Sequence, residues 1–167
     1  MRKILAVVAG VAAAIVVPAG AASARGDGWT PYVYPDQVEG SCGSTPVRVT
    51  FPDVKEFQRF LPQPDGTVIQ QITGTDRTRF TTDAGASVTV NVSGPGKYIL
   101  YPNGDVETVS MGRYGNGLTP EQAAQLGTPQ IFTTTGLIDF VTHPDGSITP
   151  IRVPSNVTDI CAELGAS

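Results

Sequence analysis

The chain has 167 residues, with 11 Lys plus Arg against 15 Asp plus Glu and a net charge of -4. With 19 Gly, 14 Pro and only 16% charged residues, it is not a coiled coil or helical bundle; without a basic excess to neutralise phosphates, it does not read as a nucleic-acid binder. One His and two Cys leave little material for a metal site, and no cofactor motif is present.

The first element in chain order is an export signal. Arg2 and Lys3 form a positive start, and Ile4 to Val17 is an uncharged apolar run of 14 residues. Pro18 and Gly20 break the run, and Ala22-Ser23-Ala24 has the small-residue pattern of a cleavage site. The run is short of the roughly 20 residues a membrane-spanning helix needs. The reading is a signal peptide over 1–24, cleaved after Ala24, with secretion of a chain that contains no membrane span. Removal of Arg2 and Lys3 makes the remainder more acidic. Residues 25–41 form an extended N-terminal segment, because Pro31 and Pro35 bracket Tyr32 and Tyr34 and disfavour regular pairing. It opens with Arg25-Gly26-Asp27, the integrin-recognition tripeptide, which three residues reproduce often by chance.

Residues 42–167 read as a single domain. Cys42 and Cys161 stand at its two ends, and an even cysteine count in an exported chain predicts a disulfide. The chain-entropy model gives roughly 4–5 kcal/mol for closing a loop of that length. Between them, Pro46 to Phe51 alternates Val47, Val49 and Phe51 against Arg48 and Thr50, a half-buried strand. Glu56 to Leu61 is a weaker strand. Thr67 to Thr73, Arg77 to Thr82, Ser87 to Val92, Lys97 to Tyr101 and Asp105 to Met111 follow. Ile131 to Thr142 and Ser147 to Val153 complete the set. Gly74-Thr75-Asp76, Asp83-Ala84-Gly85 and Gly94-Pro95-Gly96 read as turns between them. One short helix is expected near 120–126, with Thr119 as N-cap, Pro120 at N1, Gln122 closing a capping box and Gly127 as the stop.

Pro-Asp/Asn-Gly recurs at Pro64, Pro102 and Pro144, each time followed by a polar and then a β-branched residue. These are hairpin signals, and convergent turn chemistry explains them better than internal duplication. A calcium loop would need further ligands at alternating positions, which these turns lack. If every strand crosses the sandwich once, consecutive turns alternate between its ends. The three Pro-Asp/Asn-Gly turns then share one pole, together with the turn at 83–86. Gly112 to Gln130 emerges at the other pole, beside Gly94-Pro95-Gly96.

Little in the sequence points to catalysis. His143 precedes Pro144 at a hairpin, and Asp139 lies ~12 Å away along an extended strand, too far to orient an imidazole. Asp53/Glu56 and Asp105/Glu107 are carboxylate pairs of the glycosidase kind, explained equally well as strand surface charge.

Cys42-Gly43 before the first strand, the stretch Asn91 to Gly96, the Pro-Asp-Gly hairpins and the closing Asp159 to Leu164 resemble small secreted β-rich proteins of actinobacteria. The resemblance implies an exported β-rich domain and transfers no functional residue.

The expected fold is therefore all-β: an antiparallel β-sandwich, immunoglobulin-like in the loose sense, of about eight strands, with a small β-barrel as the alternative. The expected function is a non-catalytic binding domain for an extracellular protein or envelope component. The alternatives are an inhibitor of an extracellular enzyme and an enzyme of unknown type. The long segment between strands makes Arg113, Tyr114 and Asn116, with the short helix, the candidate interaction loop. The intact mass of the secreted protein is expected to match Arg25 to Ser167; a secreted form retaining Ile4 to Val17 would overturn the signal-peptide reading.

Overall fold

The computed structural model describes residues 28–153 and 155–166; the expected signal segment 1–24 and the tripeptide Arg25-Gly26-Asp27 lie outside them. Among the described residues, twelve strands and two short helices follow in order. They are β1 (Thr30–Pro31), β2 (Val38–Cys42), β3 (Thr45–Pro62), β4 (Val68–Thr82), β5 (Ser87–Asn91), β6 (Gly96–Leu100), β7 (Val106–Ser110), β8 (Arg113–Gly117), α1 (Pro120–Leu126), β9 (Ile131–Thr135), β10 (Ile138–Thr142), β11 (Ile148–Arg152), β12 (Val157–Asp159) and α2 (Ile160–Glu163). Every pairing is antiparallel and neither sheet closes into a barrel, so the all-β sandwich is the observed class.

The strand count exceeds eight because several elements lack alternation that can be read locally. β2 and β8 are Gly-containing, β12 is three residues long, and β1 is a two-residue pair ending in Pro31, in the segment read as unpaired. Backbone pairing with a neighbour makes each of them a strand.

The central element is one long hairpin. The predicted strands 46–51 and 56–61 are a single strand, β3, and 67–73 and 77–82 are a single strand, β4. β3 carries one extra residue between Thr50 and Asp53. Pro52 lies there; it has no N–H to give to the ladder, so the strand bulges instead of ending. Gly74-Thr75-Asp76 is not a turn. Gly74 pairs with Glu56 at φ 144°, and a Cβ there would lie 2.2 Å from the Lys55 carbonyl oxygen. Only glycine passes that point, which is why the residue looks like punctuation in the sequence.

The hairpin changes neighbours across this bend. Its turn-end half pairs with β1 and β6, and its far half with β2 and β5. From β6 the large sheet continues through β7 and β10 to β11, while β8, β9 and β12 form a three-stranded second sheet. The core divides into two clusters. One holds Cys42, Val47, Phe80, Ile131, Ile160, Cys161 and Leu164, and the other Leu126, Phe132, Ile138, Phe140 and Ile148.

The three Pro-Asp/Asn-Gly turns do share one pole. Asp65, Asn103 and Asp145 each accept a hydrogen bond on Oδ1 from the backbone N–H two residues on. The turns also nest: a Cβ on Gly66 would lie 3.3 Å from Pro102 Cγ, and one on Gly104 would lie 3.1 Å from Pro144 Cγ. The turn at 83–86 is the exception. It closes the opposite end of the long hairpin, because β4 runs through 74–76 without reversing.

The segment from Gly112 to Gln130 also departs from expectation. It starts beside Gly94, but 113–117 is strand β8, paired with β9, and it carries the chain toward the turn pole. There α1 packs beside the third turn: Gln122 Nε2 donates to the Gly146 carbonyl at 2.9 Å, and the Ile148 N–H donates to Gln125 Oε1 at 2.6 Å. The predicted capping box and the Gly127 C-cap are present, and Ala123 and Leu126 are buried.

Cys42 and Cys161 form the disulfide, joining the end of β2 to α2 within the first core cluster. The bridge spans a sequence separation of 119 residues. Replacing both cysteines by Ala is expected to cost about 4–5 kcal/mol in denaturant unfolding, mostly by freeing the unfolded chain. A loss below ~1 kcal/mol would show that packing alone holds β2 to α2.

Candidate ligand-binding cleft

Strand register fixes which side chains face the second sheet. On the large sheet, Gln70, Tyr98, Thr108 and Phe140 form one cross-strand row, and Ile72, Gly96, Ser110 and Ile138 the next. Apart from Tyr98, the middle of these rows is small: Gly96, Thr108 and Ser110. Side chains this short cannot meet across a sandwich whose sheets stand roughly 10 Å apart. The result is a cleft of about 670 Å³, walled by the large sheet, β2, β8 and the segment holding Tyr32 and Tyr34. Val49, Phe80 and Ile131 of the first core and its flank reach one side of it, while Tyr114 and Leu118, packed on the second core, reach another.

The cleft is rich in aromatic rings. Tyr34 sits with its ring 4.7 Å from Tyr32 and 4.2 Å from Phe51, centroid to centroid. Tyr98 and Tyr114 also line the wall, and Tyr114 packs 6.5 Å from Phe132. Burial raises the hydroxyl pKa of all four tyrosines, so they remain neutral donors at any physiological pH.

Two carboxyl groups lie in this aromatic setting. On β3 and β4, Asp76 pairs with Val54, and Glu56 with Gly74, so Glu56 and Asp76 are diagonal neighbours on the inward face. They are 7% and 3% exposed. Glu56 Oε2 accepts the Tyr34 hydroxyl at 2.8 Å, and Asp76 Oδ2 accepts the Thr78 hydroxyl at 3.1 Å. Asp76 Oδ1 is buried with no partner. The Asp76 backbone is pinned separately, its N–H donating to Ser93 Oγ and its carbonyl accepting from Val92.

Burial raises the pKa of both carboxyls from their ordinary values. For Glu56, the Asp76 charge adds to the rise and the Tyr34 hydrogen bond opposes it. For Asp76, the hydrogen bond from Thr78 opposes the rise. No lysine or arginine forms an ion pair with either group among the described residues. Such a pair can accept hydrogen bonds from a ligand, neutralise a bound cation or exchange protons with a substrate.

Of the residues expected to matter, Arg113, Tyr114 and Asn116 line the wall of this cleft. They do so from a strand, not a loop, because their backbone pairs with β9. The expected pair Asp53/Glu56 does not form, since the odd spacing sends Asp53 outward, where it is exposed. Asp105 and Glu107 are likewise separated, each with its own partner. Glu107 Oε2 accepts the Tyr101 hydroxyl at 2.5 Å and pushes the Tyr101 pKa up to about 12. Asp105 Oδ1 lies 2.9 Å from His143 Nδ1, and Thr149 Oγ1 lies 2.8 Å from His143 Nε2. His143 thus has a positioned carboxylate after all. It comes from the adjacent hairpin, 38 residues away, which no local spacing reveals.

Asp76 and Tyr34 are the site residues that the sequence reading missed. Asp76 reads as part of the turn 74–76, and Tyr34 as part of the extended N-terminal segment 25–41. The available signal was a polar residue holding a core position: Asp76, Thr78, Phe80 and Thr82 keep one buried alternation through β4.

A raised carboxyl pKa means the folded state holds its proton more tightly than the unfolded chain. Its stabilising contribution is complete below the unfolded pKa of about 4 and is lost as pH rises through the folded value. The opposing carboxylates Asp65, Asp105 and Asp145, held low by hydrogen bonds, are common to wild type and variant. Glu56→Gln is therefore expected to melt at a temperature less dependent on pH between 4 and 8, with its gain over wild type growing as pH rises. A difference between the two melting curves that is constant across that range would contradict the burial argument.

Comparison with known protein families, characterised proteins and solved structures found no match.

Proposed function

We propose that the chain is an exported, non-catalytic binding domain, its signal peptide cleaved after Ala24, whose ligand sits in the cleft between the two sheets. The observation that carries this reading is a cavity of about 670 Å³ walled by four tyrosines, with the buried Glu56 and Asp76 carboxyl groups on its lining. Protein interiors normally pack to close contact and pair their buried polar atoms. A volume in the range of small-molecule sites, mostly apolar with a few convergent polar groups, is what a ligand pocket requires. Export is supported by the disulfide; among the described residues no helix is long and apolar enough to cross a membrane.

This reading narrows the sequence-based expectation of an envelope or extracellular partner to a ligand small enough to enter the sandwich. The inhibitor alternative needs a protruding rigid loop, whereas the candidate interaction segment 112–130 holds strand β8 and helix α1. The enzyme alternative has one observation in its favour, the hydroxyl–imidazole–carboxylate chain Thr149–His143–Asp105, which has the order of a nucleophilic relay. Thr149 is exposed on the last strand of the sheet, in a shallow dent beside Tyr101 and Val141. There the chain of hydrogen bonds ties two neighbouring hairpins together.

Fragment screening by ligand-observed NMR is expected to return millimolar or tighter hits whose intermolecular contacts fall on the rings of Tyr34, Tyr98 and Tyr114. Hits confined to the Tyr101–His143 dent, or hydrolysis of an activated ester that is lost in both His143→Ala and Asp105→Asn, would overturn the proposal in favour of the enzyme.

A further inference from the structure

We propose that the ligand carries a protonated nitrogen, an ammonium or guanidinium group seated against Asp76 and Glu56, with its apolar part on the tyrosine rings. The inference rests on reading the cleft as a ligand site and names the chemistry that site selects.

The first argument is the charge balance. Two carboxyl groups are withdrawn from water on one strand pair, and no side-chain cation among the described residues is ion-paired with either. Lys97 and Arg113 are on the cleft wall, yet neither reaches the pair. An uncompensated buried carboxylate is expensive, and here one of its oxygens lacks even a hydrogen bond. The fold has three routes to relief: hold a proton, admit water or accept a cation from outside. Only the last stabilises a complex over the empty protein in proportion to the charge it brings.

The second argument is the surroundings. Tyr32 meets Tyr34 edge to face and Tyr34 packs tilted against Phe51, with the Tyr34 hydroxyl on Glu56. The faces of aromatic rings attract cations, most strongly where water is excluded. An anion meets two acidic groups and is rejected. A neutral alcohol can donate one hydrogen bond to the carboxyl pair but leaves the charge in place. A protonated amine does both, because each N–H is a charge-assisted donor. A bare metal ion fits less well, since no group of three or more ligating His, Cys, Asp or Glu side chains gathers among the described residues.

The test compares benzylammonium, benzyl alcohol and benzoate, which share one ring and differ in the charge of the head group. Each is titrated at pH 7 and low salt into wild type, Asp76→Asn and Glu56→Gln, with cooperative melting as the check that each variant is folded. Benzylammonium is expected to bind wild type about tenfold or more tighter than benzyl alcohol, the worth of one charge-assisted hydrogen bond, and benzoate weakest. In Asp76→Asn that preference is expected to fall to within about threefold while benzyl alcohol binds as before. If Asp76→Asn does not fold, Glu56→Gln carries the same comparison. Equal binding of benzylammonium and benzyl alcohol, or a preference untouched by the folded variant, would overturn the cation assignment and leave the cleft as a neutral-ligand site. Failure of all three to bind at millimolar concentration would overturn both the assignment and the cleft reading beneath it.

Discussion

The structure hangs on one hairpin that belongs to both halves of the large sheet. β3 and β4 pair from Val47/Thr82 to Pro62/Val68, far longer than a single layer needs. Two residues allow it to bend: Pro52, which withholds a ladder hydrogen bond at the bulge, and Gly74, which lets the backbones approach where any side chain would collide. The bend sends one half toward β1 and β6 and the other toward β2 and β5. It also places Glu56 and Asp76 at the change of direction, facing inward. The cleft and its acidic floor are consequences of how the hairpin turns the corner.

The second constraint is closure. Antiparallel sheets in a sandwich must cover one face each, and here the covering is uneven. Large side chains gather in two clusters, one around the disulfide and one beneath α1. Between them the rows carry Gly96, Thr108 and Ser110, and the gap is not filled. The disulfide holds β2 to α2, and α1 holds β11 by side-chain bonds to two backbone groups near the third turn. The ends of the sandwich are thus fastened, and the opening between the clusters is maintained by a rigid frame. Binding sites benefit from such a frame, since a preformed pocket spends little free energy on ordering.

At the turn pole, three repeats of one local chemistry sit side by side. Each uses an Asx side chain and a glycine at positive φ, and the prolines of the second and third turns cover the glycine of the turn before. His143, Asp105 and Thr149 extend the linkage between the second and third hairpins. The repetition reflects three hairpins arriving in register at one sheet edge, each facing the same turn requirement. It needs no duplicated sequence.

The amino-acid sequence by itself determined everything that depends on near neighbours. The alternation of Val88 and Val90, the capping box at Thr119 and Gln122, the Asp-Gly and Asn-Gly turns and the pairing of the only two cysteines all follow from local or combinatorial rules, and all are present. Tertiary structure decided what depends on partners far along the chain. Glycine and proline look like turns in any sequence. Whether Gly74 ends a strand or lets two backbones pass depends on Glu56 across the ladder. Arg113 to Gly117 looks like a loop until β9 pairs with it. Asp76 acquires its character from burial beside Glu56 and Tyr34, and His143 acquires a carboxylate from a different hairpin. Burial and charge proximity are properties of assembled surfaces. Hydrogen-bond geometry at a turn is a property of four or five consecutive residues, which is why the frame was legible and the cleft was not.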